Sequence, residues 1–302
     1  MVTFNPDTVL LSEQTEGVVP GHNTELIVKD VMANSKIMQL AQFENMTDAS
    51  GRPVKEKSFT YLAEGPGAYW VDEGERIQTD KAVWLDAKMK AYKLGIILPV
   101  SKEFLTYNVT DFFDQMRNEV QKAFYRKFDA AAIANSDNPF KQSIEGSVQK
   151  TGQVVEGDIN LDTFFELDDL LADEDVDVNS FISTSGNRNV LRNLTNPAEG
   201  AGVDYDRNAS LLDGYPVVNV GKDIVPRGTL YALDADHLHY GIPQQIEYEI
   251  LREATLSTVT DAEGNSINLA ERDLMALKAT MHVAFMVSKD EAFAKIKPIA
   301  VP

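Results

Sequence analysis

The chain has 302 residues, 43% apolar and 25% charged. That composition belongs to a folded protein rather than a disordered one, and the length is a prior for about two domains. There is no cysteine, which excludes disulfides, thiolate metal sites, iron–sulfur clusters and cysteine nucleophiles. No stretch approaches the roughly 18 apolar residues of a membrane helix. The opening Met1-Val2-Thr3-Phe4-Asn5-Pro6 has neither the charged nor the apolar region of a signal peptide. The expected compartment is therefore the cytoplasm, or a particle assembled there. Four Asn-x-Ser/Thr matches, at Asn45, Asn108, Asn193 and Asn208, are chance matches on that reading.

Net charge is −19, and it is unevenly placed. Residues 1–80 carry net −7, residues 81–150 net +3, residues 151–277 net −17 and residues 278–302 net +2. The asymmetry points to two units. The acidic one repels phosphate backbones. Its plainest role is a solvated surface that keeps the protein in solution.

In chain order, residues 1–23 are polar and broken by Pro6, Gly17, Pro20 and Gly21, which predicts an extended arm with no core of its own. Thr24 is placed to cap a helix through about Ser35. Residues 44–98 predict a long hairpin. Phe59-Thr60-Tyr61-Leu62 has strand composition. Gly65-Pro66-Gly67 punctuates it, and Asp72-Glu73-Gly74-Glu75 is turn-like. On the return strand Leu85, Ala87, Met89 and Ala91 alternate with Asp86, Lys88, Lys90 and Tyr92. A two-stranded ribbon of this length is not stable alone in water. It needs another surface, and a neighbouring subunit would supply one.

From Asp111 to Ala134 there is no glycine or proline. Phe113, Met116, Val120, Phe124 and Ala131 recur at helical spacing. Asp111 suits the cap, and Asn135-Ser136-Asp137-Asn138-Pro139 ends the helix. Lys122, Arg126 and Lys127 sit on its later turns. The acidic segment predicts helices over Leu161–Leu171 and Asn187–Leu194. It predicts strands at 181–183, 215–220, 229–233, 245–251 and 255–259. Alternation from Met275 to Val287 predicts one more long strand. This is an α+β pattern without regular strand–helix alternation.

Chemistry is scarce. There is no phosphate-binding glycine loop and no G-x-S-x-G elbow. His237 and His239 would share a face on a strand, but no third metal ligand is positioned by sequence. Asp173, Asp175, Asp177 and Asn179 open like a calcium loop. Val178 and Thr184 stand where that loop needs glycine and glutamate, so a solvated acidic turn is favoured. Glu247 and Glu249 are the kind of pair glycoside hydrolysis uses, yet pairs arise freely among 47 acidic residues. No enzyme activity, cofactor or metal is expected.

Four stretches resemble the major capsid proteins of tailed phages with the Hong Kong ninety-seven fold, similar to those of siphophages of Gram-positive bacteria. They are Gly67 to Ile77 with Lys81-Ala82-Val83-Trp84; Leu94 to Leu105, including Val100-Ser101-Lys102-Glu103-Phe104; Leu212-Asp213-Gly214-Tyr215-Pro216-Val217-Val218; and Leu277 to Ala294, ending Asp290-Glu291-Ala292-Phe293-Ala294. Their order and separations match, over about Phe4 to Pro298.

The resemblance implies a subunit that self-assembles into hexamers and pentamers of an icosahedral shell around packaged double-stranded DNA. Its implied parts are an N-terminal arm and first helix (1–43), an extended loop (44–98), a peripheral domain with the spine helix (99–150 and 278–302), and an axial domain (151–277). It implies intersubunit contacts through loop residues Trp70, Glu73, Glu75, Arg76 and Trp84. Spine-helix residues Lys122, Arg126 and Lys127 are candidate partners for the loop acids. One branch of the family carries a long scaffolding segment before the arm. If Met1 is the true start, a separate scaffolding protein is expected, and if the gene is longer, the chain is a processed or truncated form; a portal protein and no membrane are expected in either case. Some relatives cross-link a loop lysine to a neighbour's asparagine. Lys55, Lys57 and Lys81 lie near the loop without matching that chemistry, so non-covalent assembly is expected. A nanocompartment of the encapsulin type and an acidic-pair hydrolase are the alternative readings.

Overall fold

The structure is a computed structural model. It describes residues 2–3, 35–48, 50–64, 70–71, 76, 79, 83–103, 112–196, 201–202, 205–206, 209–260 and 264–299. In chain order its elements are β1 (Val2–Thr3), α1 (Lys36–Leu40), β2 (Gln42–Phe43), β3 (Glu56–Glu64), β4 (Val83–Ser101), the long helix α2 (Phe112–Ala134), α3 (Ile144–Thr151), β5 (Val154–Glu156), α4 (Leu161–Ala172), β6 (Ser180–Thr184) and α5 (Arg188–Arg192). Then come β7 (Thr195–Asn196), β8 (Ala201–Gly202), β9 (Tyr205–Asp206), β10 (Leu211–Leu212), β11 (Tyr215–Val220), β12 (Leu230–Leu233), β13 (Leu238–Leu251), β14 (Thr255–Thr260), β15 (Ser266–Asn268), β16 (Leu274–Val287) and β17 (Phe293–Lys297). This is the expected α+β mixture. The predicted helix over 24–35 and the cap at Asp111 lie outside the described residues.

The chain forms two compact units. One comprises Met1–Gln39, Lys93–Ala130 and Gln244–Val283; the other comprises Leu40–Tyr92, Ala131–Pro243 and Ala284–Pro302. A five-stranded sheet runs in the order β2-β13-β16-β4-β3. Its strands β4, β13 and β16 contribute residues to both units.

In the first unit, α2 obeys its spacing. Val120, Phe124 and Phe128 are buried, four residues apart, while Arg126 and Lys127 face solvent. Val100 and Leu277 are buried on the sheet, with Leu98, Met116, Tyr248 and Met275 packed against them. Asp129 is buried and holds the start of α1. It accepts hydrogen bonds from the Ser35 hydroxyl, the Lys36 amide at 2.9 Å and the Ile37 amide at 3.2 Å. A carboxylate from a distant helix thus satisfies N–H groups that a helix start leaves open. Burial pushes the Asp129 carboxyl up despite these donors. The β14–β15 hairpin has its own cluster of Leu256, Ile267, Leu269, Leu274 and Ala276. β1 pairs with it in parallel, Val2 opposite Val259.

The second unit contains a mixed seven-stranded sheet in the order β5-β17-β12-β6-β11-β10-β9. Its middle strands β6 and β12 are buried at every residue, as expected where both faces are covered. Helices α3 and α4 pack on β17. On α4, Phe164, Leu167 and Leu171 are buried, and Asn160 with Thr163 closes a capping box at its start. The β10–β11 turn needs two left-handed residues. Asp213 at φ 51° and Gly214 at φ 83° supply them, the combination that favours Asp-Gly.

Three sequence expectations change. The strand expected at 245–251 begins at Leu238, because β2 adds in parallel at His239 and Tyr240. The helix expected over Asn187–Leu194 is a 3-10 turn over Ser185–Asn187 followed by the short α5. The Asn187 side chain explains the break. It is fully buried, donates to the Thr229 carbonyl at 2.8 Å and the Ser183 hydroxyl at 3.1 Å, and accepts from the Gly228 amide at 2.9 Å. His237 and His239 do not share a strand face. His237 ends a 3-10 turn, with Nδ1 2.8 Å from the Ser288 hydroxyl, while His239 on β13 lies 3.4 Å from Glu44. Burial pushes the His237 imidazole below its usual range.

Lys295 lies inside the seven-stranded sheet with a side chain only 10% exposed. It donates to Glu145, which also accepts from Tyr231 at 2.8 Å and Gln149 at 2.7 Å. Burial alone would raise the Glu145 carboxyl, but hydrogen bonds from Lys295, Tyr231 and Gln149 outweigh it and hold the carboxyl below its usual value. A lowered native value stabilises the fold above the unfolded value of roughly 4.3, and that contribution is lost as pH falls through the native one. Glu145→Gln should cost about 1–3 kcal/mol near pH 7. Urea titrations should show the gap to wild type closing as the pH drops below roughly 4.

Candidate functional site

The hairpin is the feature that the sequence singles out, and its register shows how it is built. β3 and β4 run antiparallel with Glu56 opposite Lys90, Ser58 opposite Lys88, Phe59 opposite Ala87 and Leu62 opposite Trp84. The ladder shifts between Leu62 and Glu64. β4 is 19 residues long, about 60 Å of strand. Met89 and Ala91 are buried at 0% and 2%, while Lys88 and Lys90 face solvent. The alternation expected from sequence is observed from Ala87 to Ala91; the Leu85 and Asp86 side chains lie outside the described residues.

Met89 and Ala91 join Met46, Ala284 and Met286 in one cluster, with Phe59 and Ala87 packed against it. Methionine suits an irregular seat of this kind, because its unbranched thioether fills uneven gaps. Gly241 lets the seat close. A Cβ there would lie 2.5 Å from Met46 Cγ and 3.1 Å from the Glu44 carbonyl oxygen. Lys57 donates to the Asn45 carbonyl at 2.6 Å and lies 5.1 Å above the Phe59 ring. Its ammonium is thus engaged at the base of the hairpin. β3 is an edge strand of the five-stranded sheet. Glu56 and Lys57 at its start place charge on that edge, which discourages unwanted strand pairing.

Of the loop residues singled out above, Trp70 is 104% exposed and Arg76 is exposed. Glu73, Glu75 and the Trp84 side chain lie outside what the structure describes. On α2, Lys122 pairs with Glu119 at 3.2 Å, one helical turn away. Arg126 and Lys127 are exposed on the helix. Arg117, which the sequence reading passed over, stacks its guanidinium 5.5 Å from the Tyr248 ring.

The candidate chemical groups are arranged for structure. Glu247 and Glu249 are exposed on β13, and Glu249 pairs with Lys278 at 2.7 Å. The proton donor of a hydrolytic pair is held protonated by burial, and neither carboxylate has that setting. Asp173, Asp175 and Asp177 are exposed, while Asn179 spends its side chain on Asp234 at 2.6 Å and on the Ala235 amide at 2.8 Å. Among the described residues no group of three or more histidine or acidic side chains could hold a metal ion.

The profile described as the Phage capsid family matches residues 16–297. The chain is 47% identical to the major capsid protein of Staphylococcus phage 80alpha, over 98% of this chain and 89% of that protein. It is 23% identical to a probable major capsid protein of Mycobacterium phage L5, over 76% of this chain and 75% of that one. A solved structure from Microbacterium phage Oxtober96 superposes with a TM-score of 0.74 at 22% identity, covering 96% of this chain and 99% of that chain. One from Mycobacterium phage Adephagia gives 0.74 at 19% identity, covering 96% and 98%.

The seat of the hairpin gives a direct test. Gly241→Ala forces a Cβ against Met46 and the Glu44 backbone, an overpacking that should cost about 1–3 kcal/mol. Calorimetry should show a melting temperature lowered by several degrees.

Proposed function

The chain belongs to the phage capsid family, and on that premise we propose that it is the repeating subunit of an icosahedral shell, assembled from hexamers and pentamers around double-stranded DNA. The observation that carries the reading is the hairpin: a 19-residue strand follows a connecting segment in which Trp70 is wholly in solvent. A monomer has no use for a bare tryptophan at the end of a long ribbon, whereas tryptophan is among the commonest anchors of protein interfaces. In this reading Trp70, Glu73, Glu75, Arg76 and Trp84 contact a neighbouring subunit. Lys122, Arg126 and Lys127 on α2 receive the loop acids.

The long helix and its strands serve as the peripheral domain, and the seven-stranded sheet serves as the axial domain at the capsomer centre. β17 belongs to that sheet and Gln244–Val283 groups with the long helix. In this reading the axial domain spans residues 151–277, with β17 joining its sheet from beyond that span. The acidic residues on this domain repel phosphate, so it faces away from the DNA. DNA contact is non-specific and falls to the net basic stretch 81–150. Contacts between subunits are non-covalent. A separate scaffolding protein and a portal protein complete the assembly in the bacterial host cytoplasm.

Deleting residues 66–80 should leave a folded, soluble subunit that forms no shells by electron microscopy. Normal shells from that deletion would remove the hairpin from the assembly. A double-mutant cycle on Glu73 and Arg126, read as shell yield, should be non-additive; strict additivity rejects that pair.

A further inference from the structure

Among the described residues, Trp70 is the large apolar side chain most open to solvent, at 104%. Phe43, at 58%, already packs edge-on to Tyr240 at 5.5 Å. Among the described residues Trp70 has no such partner. An indole presents a broad apolar ring, a π face that attracts cations and one N–H donor. A receptor for it must complement all three.

The unit that holds the long helix has such a receptor. A hollow of about 350 Å³ is lined by Lys102, Arg252, Glu253, Leu269, Asp273 and Leu274, among others. Ala270, exposed, and Met275, half-buried, supply its accessible apolar surface, over a floor of the buried Leu269 and Leu274. Lys102 and Arg252 supply cations, and Glu253 and Asp273 supply acceptors. Lys102 reaches Asp273 at 3.1 Å, with both side chains more than half exposed. An ion pair that exposed is weak and opens easily to admit a ring. The volume sits at the small end of the range for ligand sites, about 300–1,000 Å³. A second hollow of about 330 Å³ is lined by Glu247, Tyr248, Glu249, Lys278 and Thr280. It has no buried aliphatic wall and is a poorer match.

We propose that Trp70 of a second copy of this chain seats in the hollow between Lys102 and Arg252, its ring on Ala270 and Met275 and its N–H donating to Glu253 or Asp273. The inference rests on the shell reading above and names the receptor for the hairpin tip. It makes the contact one of a few deeply seated residues that dominate an interface, surrounded by weaker polar pairs.

Two tryptophans occur in the chain, so shells are formed from the wild-type chain and unassembled Trp84→Phe, in which Trp70 is the sole indole, supplies the reference. Unassembled subunits of that variant should emit as a solvated indole. On shell formation the emission should move to shorter wavelength and acrylamide quenching should fall several-fold. Ala270→Phe, which fills the hollow from its lining, should abolish that protection. A second measurement uses the absence of cysteine. Val71→Cys and Glu253→Cys subunits, mixed and co-assembled under oxidising conditions, should give a disulfide-linked dimer in excess over either variant alone. Shells in which Trp70 stays fully quenchable, or mixed shells without excess dimer, overturn the seat and leave the shell reading intact. Failure of the parent subunit to form any shell overturns both.

Discussion

The hairpin depends on the side from which β4 is buried. Met89 and Ala91 enter the core while Lys88 and Lys90 stay in water. Side chains alternate with period two, so a slip of one residue would bring a lysine into the methionine cluster and expose Met89. Burying an unpaired ammonium costs far more than any gain from the slipped ladder. The register Glu56–Lys90 through Leu62–Trp84 follows from that penalty.

The second unit solves a different problem. Its outer surface is crowded with carboxylates. Burial, and then the neighbouring charges of Asp169, Asp213 and Asp177, pushes the Asp168 carboxyl up. The interior uses the opposite sign sparingly. Lys295 is buried on β17 and matched to Glu145 and Tyr231. Lys150 and the Ser147 hydroxyl both bond Asp290, just before β17. These pairs tie α3 to the last strand and its approach. A buried ion pair adds little net stability over an apolar one, but removing one partner is costly. Its effect is to fix which helix face meets which strand.

Several of these features were legible in the sequence. The hairpin return strand, α2, α4 and β16 follow from periodicity, and β11 and β12 from strand composition, β12 being buried at every residue. The resemblance motifs placed those elements in a known order. α3 and β5 were missed, being too short for a periodic signal. Ser143 and Gly152, which cap α3, were the local clues to it.

Composition and alternation by themselves determined that this chain folds without cysteine, carries a long two-stranded ribbon, and concentrates negative charge in one segment. Those are properties of single residues and of spacing, so they need no partner to be read. Only the tertiary structure decided where the chain's distant parts meet. Asp129 caps a helix more than ninety residues away, and β17 joins the sheet of residues 154–233. Gly241 admits Met46 to the hairpin seat, and Lys102 and Asp273 frame a hollow from separate strand ends. Such contacts arise from long-range packing, whose partners share no periodicity and no fixed separation along the chain.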